Sequence, residues 1–303
     1  MVQRDRLHHL PERFPIACQW EITCRCNLHC VMCYTDCFNR PDFIREELTT
    51  PVILRIMDEM ADAGTLELCL TGGEPLMRPD FFHIYEHAIH RGFLVTVFTN
   101  GTLITEAVAD RFAALRPHRI EISLHGLTRE TFERITQAPA SHHRCLDGIR
   151  LLIDRQIPLT LKCTAMTLNQ HEILPIKQYV ASLGSVGYKL GEEMRHELDG
   201  GAGPFQYALS TQTLAVLNRQ DEDLWEESCH RDQTEPSPCR SGMQRFHIDA
   251  YGMLQLCSGN RHEGYDLRQG SLQEGFYHHL PFFACRRKTP EMKSLLHPTV
   301  NHA

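Results

Sequence analysis

The chain lacks an apolar span of about 18 residues and has no signal peptide, which speaks against a membrane-spanning or secreted protein. It also lacks a basic stripe. Its 31 Lys and Arg against 38 Asp and Glu give a formal charge of -7, whereas phosphate-backbone binding needs concentrated cations, so nucleic acid is not an expected partner. No internal repeat of fixed period stands out. Cysteines are plentiful, 13 in all, but they do not form the evenly paired framework of a disulfide scaffold. They read as reduced thiols of a cytoplasmic protein, some of them metal-bound. The adjacent histidines His8-His9, His142-His143 and His278-His279 do not share a helix face and read as surface residues.

With 303 residues, 42% of them hydrophobic, the chain can bury one large core and a small appendage. Strand-like runs at residues 16–23, 66–70, 94–98, 119–124, 159–165 and 185–190 alternate with helical patterns. That rhythm predicts successive βα units, an α/β fold with a partial (β/α)6, TIM-like barrel and a small C-terminal domain. The helix expected over 51–63 has Thr50 as N-cap, Pro51 at its first position, one apolar face of Ile53, Ile56, Met57 and Met60, and Gly64 as its stop. The expected organisation is a core domain over 1–198, a bridge and helix over 199–234, and a tail domain over 235–303. The bridge begins with the flexible-looking run Asp199 to Pro204. A helix over 211–225 follows, whose acidic stretch 221–227 reads as a solvated face.

Cys26, Cys30 and Cys33 lie on one loop after the first strand, with three and then two residues between them. Three thiolates so placed can hold three irons of a four-iron cubane and leave the fourth open. Zinc, or a plain cluster of thiols, is the alternative reading of such a loop. The spacing resembles that of the radical S-adenosylmethionine (SAM) superfamily. The resemblance implies a [4Fe-4S] cluster on Cys26, Cys30 and Cys33 whose open iron is chelated by SAM. Tyr34, just after the third cysteine, is read as a cofactor contact. Met32 stands where the family usually carries an aromatic residue.

Gly72-Gly73-Glu74-Pro75 follows the second strand and resembles the family's GGEP motif. Two glycines there let a ligand approach the backbone closely, and the motif's carbonyls and Glu74 are expected to accept hydrogen bonds from the SAM ammonium. Asn100 ends the third strand. By the same resemblance Ser123 and Arg134 would bind the SAM carboxylate or ribose, and Lys162 and Asn169 would contribute at the fifth strand. His125 is a candidate catalytic residue, with simple packing as its other reading.

The stretch from Cys239 through Gly252 to Cys257 resembles the opening of a SPASM or twitch module. A hairpin turning at Gly252 would bring Cys239 and Cys257 together. With Cys285 they imply one auxiliary [4Fe-4S] cluster. Cys229, Asp266, His262 or the substrate are candidates for its fourth ligand, and zinc or buried thiols are the other readings. Cys18, Cys69 and Cys163 read as small core residues.

The resemblance implies a radical SAM enzyme that abstracts hydrogen from a peptide or small-molecule substrate, with maturation of a ribosomally made peptide as the first choice. A haem or molybdopterin biosynthetic enzyme, or a non-enzymatic iron-sulfur or zinc protein, are the alternatives. An electron donor such as flavodoxin or ferredoxin is implied. Only about fifteen residues precede the first strand, so leader recognition is expected from a separate leader-peptide-binding protein or from the barrel mouth.

Overall fold

A computed structural model describes residues 13–226 and 239–285. Strands β1 (Ala17–Glu21), β2 (Glu67–Thr71), β3 (Leu94–Thr99), β4 (Arg119–Ser123), β5 (Leu159–Thr164) and β6 (Gly187–Gly191) pair in parallel, each with the next. The intervening helices are α1 (Thr50–Asp62), α2 (Phe81–His90), α3 (Glu106–Ala114), α4 (Arg129–Thr136), α5 (Ser141–Asp154) and α6 (Ile173–Ser182). This is the partial barrel expected from the βα rhythm. The sheet does not stop at β1: β7 (Arg245–Ile248) pairs with it in parallel, and β8 (Met253–Gln255) and β9 (Tyr265–Asp266) continue antiparallel. The strand order is therefore β6-β5-β4-β3-β2-β1-β7-β8-β9, and the tail hairpin closes one flank of the barrel.

The period of two along each strand separates two chemistries. Trp20, Leu68, Leu70, Val95, Val97, Ile120, Ile122 and Leu161 are wholly or almost wholly buried beneath the helices. Their alternating neighbours Gln19, Cys69, Thr96 and Glu121 line a chamber on the opposite, concave face. Cys18 and Cys163 are core residues as expected. Cys69 is not: flanked by outward-facing Leu68 and Leu70, it must point into the chamber.

Helix α1 buries Ile53, Ile56, Met57 and Met60 completely, the face its spacing predicts. Its N-cap is Thr49 rather than Thr50. The Thr50 hydroxyl instead donates to Asp80. Gly64 ends the helix with φ of +86°, a conformation glycine adopts without a Cβ penalty. Helix α7 (Thr211–Arg219) is shorter than expected. The chain breaks at Gln220 and Asp221 and resumes helix over 222–226. The acidic run there is not simply solvated, because Lys177 of α6 is ion-paired with Asp221 and, at 2.7 Å, with Asp223.

Candidate functional site

The cysteine loop, the glycine turn, Asn100 and Ser123 lie at the carboxyl ends of the parallel strands or on loops beside them, where α/β barrels build their sites. The cysteine loop is held from several sides. Asn39 clasps Cys26, its Oδ1 accepting from the Cys26 amide at 3.1 Å and its Nδ2 donating to the Cys26 carbonyl at 3.0 Å. The amides of His29 and Val31 donate to Thr136 and Ile135, the last carbonyls of α4. Asn100 donates to Asn27 at 2.9 Å, and Asn27 donates to Thr102 at 2.8 Å. Upstream, the Cys24 amide and the Thr23 hydroxyl both donate to Glu47. Asn27, Asn39, Glu47 and Thr102 were not singled out from the sequence, since nothing short of the fold shows which loop a polar side chain will reach.

The thiols of Cys26, Cys30 and Cys33 are all raised in pKa, and the neighbouring cysteines contribute to the rise of Cys26 and Cys30. Burial is the leading cause of the rise for each, taking Cys26 to about 12. Three half-buried thiols whose thiolates are disfavoured suit a cationic centre that deprotonates them outright. Among the described residues no three His, Cys, Asp or Glu side chains converge on one point as ligands of a single ion. A cubane asks for something different, one thiolate on each of three separate irons. The donor set on this loop fits that group.

Gly72 and Gly73 are required by the loop itself. A Cβ on Gly72 would sit 2.2 Å from the Thr23 carbonyl oxygen, and one on Gly73 2.3 Å from that of Arg25. The Gly73 amide donates to Thr23 at 2.8 Å and the Glu74 amide to Arg25 at 2.6 Å. The turn after β2 is thus clamped to the chain entering the cysteine loop. Pro75 starts a short 3-10 turn. Glu74 is fully buried, and its carboxylate accepts from the Leu76 amide, the Thr99 hydroxyl and the Asn100 amide, at 3.1, 2.7 and 2.6 Å. Burial outweighs those bonds and raises its pKa to about 7.

Tyr34 donates to Glu21 at 3.1 Å, and the guanidinium carbons of Arg195 and Arg261 each stand 5.5 Å from its ring centroid. Arg261 also grips both oxygens of Glu21, which holds that carboxyl below its usual range despite burial. The Leu198 amide donates to the Tyr34 carbonyl at 2.9 Å, so the bridge over 199–204 starts from a point tied to the cysteine loop. A cavity of about 210 Å³ lies here, lined by Cys24, Gly73, Asp249, Tyr251, Gln255 and Arg261 among others.

Ser123 lies at the end of β4. Arg134 is exposed in the last turn of α4, the helix whose terminal carbonyls hold the cysteine loop. Lys162 of β5 pairs in register with Ser123 and stands 3.3 Å from Glu121 and 3.2 Å from the Phe98 ring centroid. His125 is buried, and its Nδ1 accepts from the Thr164 amide at 3.2 Å. Burial, with Lys162 nearby, lowers its pKa to about 4, so the ring is neutral near pH 7 and braces β4 against β5. Asn169 is also buried and donates to the carbonyls of His125 and Thr164.

In the tail, Gly252 turns the hairpin with φ of +87°. Cys257 pairs with Asn260 in an isolated bridge, and Asn260 donates to the Ala284 carbonyl at 2.8 Å. The segments bearing Cys257 and Cys285 are therefore joined. Cys239 is exposed. Asp266 is paired with Arg268 at 2.9 Å, His262 is exposed, and Cys229 lies outside the described residues.

Among the described residues no helix is long and apolar enough to cross a membrane. Over residues 20–180 the sequence matches the profile of the Radical SAM superfamily. It is 34% identical over 169 residues to the AdoMet-dependent heme synthase of Methanosarcina barkeri, covering 56% of this chain and 48% of that protein. To the PqqA peptide cyclase of Granulibacter bethesdensis it is 30% identical, covering 56% and 45%. To the mycofactocin maturase MftC of Mycobacterium tuberculosis it is 37% identical, covering 40% and 30%. The chain thus spans about half or less of the length of these relatives. The crystal structure of SuiB from Streptococcus suis bound to the precursor peptide SuiA superposes with a TM-score of 0.71 at 15% identity, covering 90% of this chain and 66% of that one. A structure of anSMEcpe with bound AdoMet and a peptide superposes at 0.66 and 14%, covering 88% and 81%. At that identity the likeness concerns the fold. The profile match takes in more than half of the sequence, from β1 into α6, together with the cysteine loop and the glycine turn that clamps it, and the chain belongs to the radical SAM superfamily.

Proposed function

We propose that this chain is a radical SAM enzyme that modifies a ribosomally made peptide by crosslinking, oxidation or epimerisation. The observation that carries the radical SAM assignment of the site is the clamp between the Gly72-Gly73 turn and the backbone entering the Cys26–Cys33 loop. When bound, the cluster would supply one electron to cleave SAM reductively, giving the 5′-deoxyadenosyl radical that abstracts hydrogen. Cys26, Cys30 and Cys33 hold the cluster. Carbonyls of the glycine turn, Glu74, Asn100, Ser123, Arg134 and Tyr34 orient SAM, in a domain spanning 1–198. Residues 235–303 form a twitch-like unit in which Cys239, Cys257 and Cys285 hold an auxiliary four-iron cluster. The peptide reading is supported by the relatives named as a PqqA peptide cyclase and a mycofactocin maturase, and by a fold shared with a protein crystallised with its precursor peptide.

A second reading, a small-molecule enzyme of the haem-biosynthesis type, is favoured by the identity to the heme synthase. Isotope transfer separates the two. Reduced, cluster-loaded protein is incubated with SAM and, fully deuterated, any short peptide found encoded beside its gene, and deuterium is sought in 5′-deoxyadenosine by mass spectrometry. Deuterium in the nucleoside supports peptide maturation. Formation of 5′-deoxyadenosine without deuterium, together with turnover of an iron porphyrin, overturns it in favour of the second reading.

A further inference from the structure

The concave face of the sheet encloses a chamber of about 410 Å³, within the size range of a small-ligand site. The chain carries a net -7, whereas the chamber lining balances Arg119 and Arg245 against Glu67 and Glu121. Glu121 of β4, buried in the wall, is shared by two ammonium groups, Lys189 at 2.6 Å on Oε1 and Lys162 at 3.3 Å on Oε2. Among the described residues it is the only carboxylate paired with either lysine. Lys162 cannot swing away freely, because it is seated on the Phe98 ring. Arg119, two residues before Glu121 on the same strand face, and Arg245 of β7 also line the chamber. Neither guanidinium has an ion-pair or hydrogen-bond partner among the described residues. The lining itself sets these two arginines against Glu67 and Glu121, and Lys162 and the half-exposed Lys189 reach the chamber from beside it, through Glu121. Across the chamber His247 is fully buried; Glu21 stands 3.9 Å from its Nε2, beyond hydrogen-bond reach, and neither ring nitrogen has a hydrogen-bond partner.

A polar nitrogen left unpaired in the interior is costly, and the two ammonium groups on Glu121 carry one positive charge more than that carboxylate neutralises. An anion in the chamber relieves both. We propose that the chamber receives a carboxylate of the substrate, held by Lys162 and Lys189 beside Glu121. This rests on the peptide reading above and narrows it: the modified segment presents an acidic side chain to the barrel lumen. Glu121 sets the strength of the site by competing with the incoming carboxylate for the same two ammonium groups. His247 can donate one N–H to the ligand from the opposite wall.

The test uses cluster-loaded protein with SAM present, and two blocked tripeptides, acetyl-Ala-Glu-Ala-amide and acetyl-Ala-Gln-Ala-amide, titrated by calorimetry. The Glu peptide is expected to bind at least about tenfold more tightly than its Gln counterpart, the loss of a charge-assisted hydrogen bond. Lys189→Met should weaken the Glu peptide by a similar factor without moving the Gln peptide. Glu121→Gln should strengthen the Glu peptide, a sign that misfolding cannot imitate. Glutarate is run beside them, and affinity equal to the Glu peptide supports the carboxylate site while assigning it to a free dicarboxylic acid. Equal affinity of the two peptides, or weaker binding of the Glu peptide in Glu121→Gln, overturns the proposal. So does carboxylate binding that vanishes when the tail cysteines are loaded with iron and sulfide, since the cations would then be neutralised by the cluster itself. Failure to form 5′-deoxyadenosine from SAM and dithionite would count against the radical reading alone, and the binding contrast does not depend on it.

Discussion

Two groups of three cysteines stand in differently built surroundings. Cys26, Cys30 and Cys33 sit on a loop tied to α4, to the glycine turn after β2 and to the polar side chains Asn39 and Asn100. Their thiols are pressed together and buried enough to raise their pKa values. Cys257 and Cys285 share one side-chain tie through Asn260, and Cys239 is exposed. The difference teaches that the fold preorganises one donor set through backbone hydrogen bonds from several elements. The tail segments are held mainly by side chains, Asn260 on the Ala284 carbonyl, Arg195 on the Ser258 hydroxyl and Glu263 on the Ala284 amide, so a group bound there would add to their order.

The sharpest way to break this comparison is to remove the loop ligands. Cys26→Ala, Cys30→Ala and Cys33→Ala together should abolish 5′-deoxyadenosine formation and lower the content of anaerobically reconstituted protein from about eight irons to about four, as read by iron assay. Full iron in that variant would mean that the loop holds no cluster. Next in size is the converse experiment. Cys257→Ala with Cys285→Ala should also remove about four irons, yet leave SAM cleavage by the loop cluster measurable, and should lower the thermal midpoint of iron-loaded protein more than that of iron-free protein.

Gly73→Ala tests whether backbone contact holds the loop. The new Cβ would meet the Arg25 carbonyl at 2.3 Å, so unfolding in urea should show a loss of about 1–3 kcal/mol and SAM affinity should fall with it. A variant as stable as the parent would show that the two chain segments can part freely. The smallest effect concerns pH. His125 is held neutral, its pKa depressed from 6.5 to about 4, so the folded state binds fewer protons than the unfolded chain between those values. Its contribution to stability is complete above pH 6.5 and is lost as pH falls toward 4. Melting temperatures of the parent and of His125→Gln should therefore converge on acidification through that window, and parallel curves would exclude His125 as the source.

Much of the architecture was legible along the chain. The six parallel strands lie within or beside the apolar runs that announced them, and Ile53, Ile56, Met57 and Met60 form the buried face their spacing required, because strand and helix periods are written directly into hydrophobic pattern. Thr50 was misplaced as a cap because two adjacent threonines offer the same signal and only Asp80, thirty residues on, decides which hydroxyl is engaged elsewhere. Cys69 was misread for a related reason. In a continuous apolar run composition does not say which alternate residues face the helices.

At the candidate site, spacing and the family resemblance picked out Cys26, Cys30 and Cys33 and the glycine pair, since ligands on one loop and close backbone approaches are local demands on sequence. What only the tertiary structure decided is how distant residues are brought to bear. It put Asn39 on Cys26, Arg261 on Glu21 and Tyr34, the end of α4 on the cysteine loop, and Lys162 and Lys189 together on Glu121. Those partners come from separate strands, helices and loops. Their meeting is set by strand register and by the closing of the sheet through β7, for which a linear sequence carries no short-range signal.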